Sequence, residues 1–247
     1  EAGVGEGDLV LEVGPGAGAL TEMLLERGSE VVACEMDEGL ASLLRDRFAE
    51  RYGERFTLIE GDCLDGKRSL NPRIVRTLES AAQRGSREFT LVANLPYNAA
   101  SPLMAVLLTD YPACRAQYVT IQKEVGERLA AKPGTKEYGP LSVIAQALAT
   151  VRRVAVLPPE CFWPRPGVTS AMLELKRRSD PLTDDPAALG GLCHALFSQR
   201  RKQIGSILGR DHPLPAGVTH EMRPEQMTVA QLCELSRMWA KDGGARD

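Results

Sequence analysis

Two stretches of this sequence bring together residue types that do chemistry in combination. The first is Leu11-Glu-Val-Gly-Pro-Gly-Ala-Gly18. Glycines at positions 14, 16 and 18 let the backbone turn tightly and let a ligand approach without a Cβ in the way. The stretch leads into a helical pattern, Ala19 to Arg27, whose first turn has unpaired N–H donors. About twenty residues on, an apolar run ends in Glu35, whose carboxylate can accept from both hydroxyls of a ribose. A further run ends in Gly61-Asp62, where a carboxylate or its neighbours can meet an adenine amine. Glu12 has two readings: it can brace the turn or face an ammonium group on the ligand, or it can partner a helix cap. Each acid alone is most simply a solvated turn residue, but together they mark one binding crevice for an adenosine-type cofactor. NAD fits less well. Its usual Gly-x-Gly-x-x-Gly has a later third glycine, and here Pro15 stands inside the turn.

The second stretch is Asn94-Leu-Pro-Tyr97, at the end of another apolar run. It suits the methylation of an exocyclic amine such as that of adenine. Such an amine is a poor nucleophile because its lone pair is delocalised into the ring. Accepting hydrogen bonds from both of its N–H groups drives the nitrogen toward a tetrahedral shape and frees the lone pair for a sulfonium methyl. Asn94 Oδ1 can accept one bond and the Leu95 carbonyl, held by Pro96, the other. Tyr97 can stack on the base. Catalysis would then be orientation and electrostatics, with no strong general base. The competing explanation is a strand-to-loop turn rich in turn formers.

The elements that must position these residues follow from the hydrophobic pattern. Strands are expected at Leu9–Val13, Val31–Cys34, Thr57–Ile59, Phe89–Ala93 and Gln117–Ile121, with helical spacing between them. That alternation predicts an α/β fold, a doubly wound Rossmann-like parallel sheet with helices on both faces. Val151–Leu157 and Ser170–Leu175 flank the proline-rich stretch Pro158 to Pro166 and read as an antiparallel edge. An extra surface helix is expected over Asn71 to Arg84. Beyond Asp180–Pro186 the pattern is helical through Trp239. This divides the chain into a catalytic domain, 1–178, and a small helical domain, 179–247.

Length and composition agree with this. The chain has 247 residues, 43% hydrophobic and 26% charged, which supplies a globular core. There is no apolar run of membrane-spanning length and no signal peptide. Six scattered cysteines without a Cys-x-x-Cys pair, and three histidines without ligand spacing, predict no disulfide framework, no metal and a reducing cytoplasm. The chain opens at Glu1 only a few residues before a strong strand, so its natural start is expected to be missing.

Eight blocks occur in order: Glu-Val-Gly-Pro-Gly-Ala-Gly-Ala-Leu-Thr, Cys-Glu-Met-Asp, Gly-Asp-Cys, Asn-Leu-Pro-Tyr-Asn, Gln-Lys-Glu-Val, Tyr-Gly-Pro-Leu-Ser, Phe-Trp-Pro-Arg-Pro-Gly-Val and Gln-Arg-Arg-Lys. In these blocks, from Leu9 to about Trp239, the sequence resembles the small-subunit ribosomal RNA adenine N6,N6-dimethyltransferases, the KsgA type. The resemblance implies a class I methyltransferase fold with a small C-terminal helical domain. It implies dimethylation of two adjacent adenosines in a small-subunit (16S) rRNA hairpin during ribosome assembly, with S-adenosylmethionine as donor. It further implies that Gly14, Glu35, Asp62 and Asn94 contact that cofactor, with Met36 against its adenine and Cys63 beside it. Phe162 would stack on the flipped base opposite Tyr97. The family's N-terminal Gly-Gln-Asn-Phe-Leu segment, which closes over the cofactor, is absent here, and weak cofactor binding is expected in consequence.

Arg200, Arg201 and Lys202 are placed on a helical pattern and are expected to bind RNA phosphates, with Arg152, Arg153, Lys176, Arg177 and Arg178 as a possible extension. The net charge of -3 then describes the rest of the surface. The expected partner is small-subunit rRNA or the immature small subunit, bound by a monomer. Two rivals remain: a large-subunit rRNA adenine methyltransferase of the macrolide-resistance type, and a non-catalytic RNA-binding assembly or transcription factor on the same fold.

Overall fold

The computed structural model describes residues 1–66, 69–85, 87–163 and 165–241. They fall into two compact units, Glu1–Lys123 with Arg152–Lys176, and Glu124–Val151 with Arg177–Asp247. The segment Glu124–Val151, which the sequence pattern assigns to the catalytic domain, thus groups with the C-terminal helices.

The first unit holds the sheet. In chain order its elements are β1 (Leu9–Val13), α1 (Ala19–Glu26), β2 (Glu30–Glu35), α2 (Glu38–Tyr52) and β3 (Phe56–Glu60). The two-residue strands β4 (Leu64–Asp65) and β5 (Ser69–Leu70) pair as a small antiparallel ladder. Then come α3 (Pro72–Arg84), β6 (Phe89–Asn94), α4 (Tyr97–Thr109) and β7 (Cys114–Gln122). After the helices α5 (Lys123–Leu129) and α6 (Pro140–Leu148), which fall in the second unit but for Lys123, come the last two strands, β8 (Ala149–Leu157) and β9 (Ser170–Arg177). The seven-stranded order is β3-β2-β1-β6-β7-β9-β8. The first five strands pair in parallel, and β9 returns antiparallel to β7. The order reverses between β1 and β6, so a crevice opens there outside the carboxyl ends of the strands.

Local chemistry explains these elements. All five residues of β1 are buried, as a central parallel strand covered on both faces requires. Asp37 caps α2 by accepting from Leu40 N at 2.8 Å. Asn71 caps α3, accepting from Arg73 N at 2.9 Å, with Pro72 in the first turn. The surface helix expected over 71–84 is therefore present.

The second unit adds α7 (Pro186–Phe197), α8 (Gly205–Leu208) and α9 (Val229–Lys241) to α5 and α6. Asp185 caps α7 by accepting from Ala188 N at 2.9 Å. Leu189, Leu192, Leu196, Leu232 and Leu235 are fully buried, and the Tyr138 and Phe197 rings meet edge-on at 6.1 Å.

Candidate active site

The glycine turn hangs from the end of β1. Gly14 N donates to Cys34 O at 2.9 Å, and Gly18 N to Pro15 O at 3.0 Å. Gly14 has φ +70°, and a Cβ there would sit 2.9 Å from Pro96 Cγ. The residue is bare for two reasons: its left-handed backbone, and the loop of the second motif packed against it. Gly18, at φ +86°, would drive a Cβ to 2.5 Å from the Phe48 ring, so this glycine serves helix packing.

Glu35 ends β2 and is nearly buried. Its Oε2 accepts from Gly16 N at 3.1 Å, and its Oε1 from Met36 N at 3.0 Å and Asp37 N at 3.1 Å. These main-chain bonds hold the carboxylate at the sheet edge. A carboxylate has about four acceptor sites, so capacity for a further donor remains. Asp62 is exposed, with Oδ1 accepting from Leu64 N at 2.9 Å. Cys63 is buried, and burial first, then the neighbouring Asp62, pushes its thiol up to about 12. Met36 is 68% exposed, available to cover a ligand.

Glu12 resolves part of its double reading. Thr21, in α1, donates its hydroxyl to Glu12 Oε2 at 2.7 Å, so the acid ties the strand to the helix behind the turn. It also lines the cavity described below. Burial pushes its pKa up to about 8, opposed by the Thr21 bond and reinforced by Glu35.

Asn94 ends β6, and the chain then turns into α4. Leu95 N donates to Thr120 O of β7 at 3.0 Å, which fixes the peptide on which the motif depends. Pro96 caps α4, its carbonyl accepting from Ala99 N and Ala100 N at 3.0 Å. Tyr97 Oη lies 3.1 Å from Ser170 Oγ, at the start of β9. Ser170 pairs with Gln122, so the antiparallel return delivers the Pro158–Thr169 connection to the same sheet edge.

A cavity of about 520 Å³ gathers these pieces. Glu12, Gly14, Gly16, Asn94, Leu95, Pro96, Tyr97 and Phe162 all line it. Gly18, Glu35, Met36, Asp62 and Cys63 are not among its lining residues. The two sequence motifs, some 80 residues apart, thus share one chamber. Thr120, Trp163 and Ser170 line it too, and sequence reasoning missed them. The β7–β9 register that brings Thr120 and Ser170 in has no local signature. Trp163 had one, as an aromatic beside Phe162 in a proline-rich stretch. Pro164 of that stretch lies outside the described residues.

The basic block is arranged differently from its helical expectation. Ser198 to Lys202 form a turn between α7 and α8. Arg200 donates to Lys136 O at 2.7 Å and Thr135 O at 2.9 Å, and lies 3.8 Å from Glu225. These bonds to distant carbonyls hold the turn open where periodicity alone would continue the helix. Lys202 Nζ donates to Gln199 Oε1 at 2.8 Å, and Arg201 is exposed. Arg152 and Lys176 both pair with the buried Glu174. Among the described residues no His/Cys/Asp/Glu group could hold a metal, and no helix is long and apolar enough to cross a membrane.

A family model described as ribosomal RNA adenine dimethylase matches residues 1–241. The chain belongs to that family. Among its relatives, a ribosomal RNA small subunit methyltransferase A from Acidobacterium capsulatum is 36% identical over 239 residues, covering 92% of this chain and 80% of that protein. A protein of the same name from Phenylobacterium zucineum is 38% identical over 243 residues, covering 96% and 80%. The crystal structure of a dimethyladenosine transferase from Plasmodium falciparum superposes with a TM-score of 0.77 at 22% identity, over 98% of this chain and 93% of that one. The 23S rRNA methyltransferase ErmE superposes at 0.64 with 24% identity, over 96% and 93%. These two likenesses show a shared fold. Membership of the adenine dimethylase family makes the chain a methyltransferase, and the two motifs that face the cavity are among the blocks through which the sequence resembles that family.

Proposed function

We propose that this dimethylase transfers methyl groups from S-adenosylmethionine to the N6 amine of adjacent adenosines in a small-subunit rRNA hairpin during ribosome biogenesis, in the cytoplasm. The observation that carries the reading is that the Asn94–Tyr97 tetrapeptide and the Gly14–Gly16 turn line one cavity. The relatives named for the small subunit favour that substrate over large-subunit RNA.

The residues fit the cofactor. Bare backbone at Gly14 and Gly16, the anchored Glu35 carboxylate and exposed Met36 suit an adenosine with a charged tail. When bound, S-adenosylmethionine supplies an electrophilic methyl group on sulfur. The chain's own residues do the rest. Asn94 Oδ1 and the Leu95 carbonyl accept hydrogen bonds from the two amine N–H groups and aim the nitrogen lone pair. The Leu95 N–H bond to Thr120 and the Pro96 ring keep that carbonyl from swinging away. Tyr97, steadied by Ser170, and Phe162 grip the base faces. The methylated amine is acidic enough to lose its proton to solvent, so no side chain of high basicity is required.

The test is transfer of labelled methyl to naked rRNA and to immature small subunits, with the modified nucleotides located by mass spectrometry. Dimethyladenosine in small-subunit RNA is expected, and label confined to large-subunit RNA would overturn the substrate. Asn94→Ala should lose turnover by at least about a hundredfold while keeping its unfolding midpoint. Turnover within a few fold would discard the orientation mechanism.

A further inference from the structure

The cavity accounts for the reacting base and leaves one large side chain at its rim unexplained. Trp163 is 97% exposed, although it lines the cavity together with Phe162. Among the described residues no ring or cation is stacked on it. Indoles normally bury most of their area, and one left in water is a surface without its partner. Phe162 has extended backbone, φ −124° and ψ 149°. Phe162 is partly buried and Trp163 is out, with their Cα atoms about 3.8 Å apart. The pair therefore sets a partly buried ring and an exposed one side by side at the chamber's rim, and the exposed one faces whatever waits outside.

What waits outside follows from the substrate. In the proposed reaction the chamber of about 520 Å³ takes the methyl donor's reactive end and the target base. A polynucleotide that extrudes one base into it brings the neighbouring nucleotide to the rim. We propose that Trp163 is the stacking platform for the nucleobase flanking the target adenosine. It is a positioning residue: it holds the strand so that the extruded base meets Asn94, and it touches no reacting atom. Every base has a π-face, so the platform contributes affinity without reading sequence. This rests on the reading of the chain as an RNA adenosine methyltransferase.

The experiment uses the full chain and two RNA hairpins that differ at one position. In one the nucleotide beside the target carries its base, and in the other it is abasic. The chain has two tryptophans, and Trp239 lies in the second unit against Gly191, so a Trp239→Phe background isolates the emission of Trp163. Base-flanked RNA should quench that emission, and abasic RNA should quench it far less. Trp163→Ala should raise KM for base-flanked RNA by roughly fivefold to a hundredfold with kcat nearly unchanged. Trp163→Phe should recover most of the loss, and wild type and Trp163→Ala should perform alike on abasic RNA. An equal penalty on both RNAs would make Trp163 merely structural and overturn the proposal. So would emission that ignores RNA but responds to immature subunits, which would point to a protein contact. Flank-dependent quenching without methyl transfer would uphold the platform and sink the reaction assigned to the chamber.

Discussion

The two walls of the cavity are built in opposite ways. The glycine turn is fastened by main-chain bonds, from Gly14 N to Cys34 O, Gly16 N to Glu35 and Gly18 N to Pro15 O, and it offers almost no side chain. The Pro158–Thr169 wall has short bonds near one end, from Cys161 N to Pro158 O and Phe162 N to Pro159 O, and a tie from Lys123 N to Thr169 O at the other. Between them it offers one large ring, Trp163, to solvent. Fixed amides suit a ligand of constant shape and charge, whose binding is repeated unchanged in every turnover. Exposed rings suit a ligand that arrives on a strand and must be gripped without regard to its sequence. Under the proposed function, the contrast suits the cofactor to the first wall and the nucleic acid to the second.

Variants on the two walls should therefore fail differently. After Asn94→Ala, the largest effect is expected from Glu35→Ala, which removes a charged acceptor worth about 1.5–3 kcal/mol net. Calorimetry should find S-adenosylmethionine bound roughly tenfold to a hundredfold more weakly, and unchanged affinity would break the contrast at its first wall. Phe162→Ala should lose one stacking partner, about 1–3 kcal/mol per base. Its loss should show with RNA while cofactor affinity holds, and a matching loss of cofactor affinity would move Phe162 to the other wall.

Smaller effects belong to the basic turn. Replacing Arg201 and Lys202 by alanine should lower the slope of log RNA affinity against log salt by roughly 1 to 2 units. An unchanged slope in filter binding would send the RNA elsewhere. Arg200→Ala should instead lower the urea midpoint, by the equivalent of about 1 kcal/mol, because its guanidinium is spent on the carbonyls of Thr135 and Lys136.

Glu12 gives an effect of another kind, on stability against pH, because its folded pKa of about 8 stands above its ordinary 4.5. The unfolded chain loses this proton first as pH rises. The contribution of the buried acid is therefore complete below about 4.5 and is lost as pH climbs to about 8. Glu12→Gln keeps an acceptor for Thr21 and has nothing to titrate. Its urea midpoint should fall less than that of the wild type across this window, and superimposable curves would mean that the carboxyl is ionised in the fold.

The sheet was legible because period and breakers agreed. Val31–Cys34 became Glu30–Glu35, and the antiparallel edge emerged from the apolar runs on either side of Pro158–Pro166. The walls were legible where a motif is contiguous, as at Gly14–Gly18 and Asn94–Tyr97. Long-range partners were hidden. Nothing near Arg200 announces that carbonyls 64 and 65 residues earlier will claim it, and the expected helix became a turn for that reason. Thr120 and Ser170 reach the cavity through strand register, which no local pattern encodes. Grouping Glu124–Val151 with the C-terminal helices is likewise a tertiary choice, since α5 and α6 read locally like any crossover helices.

The antiparallel return of β9 carries one more consequence. It hands the connection before Ser170 to the carboxyl edge of the sheet while leaving β1, β2 and their glycine turn untouched. The chain between Leu157 and Ser170 can then change its length without moving the strands that carry the glycine turn. Substitutions in that span should therefore change what the cavity accepts without loosening the bonds that fasten the glycine turn.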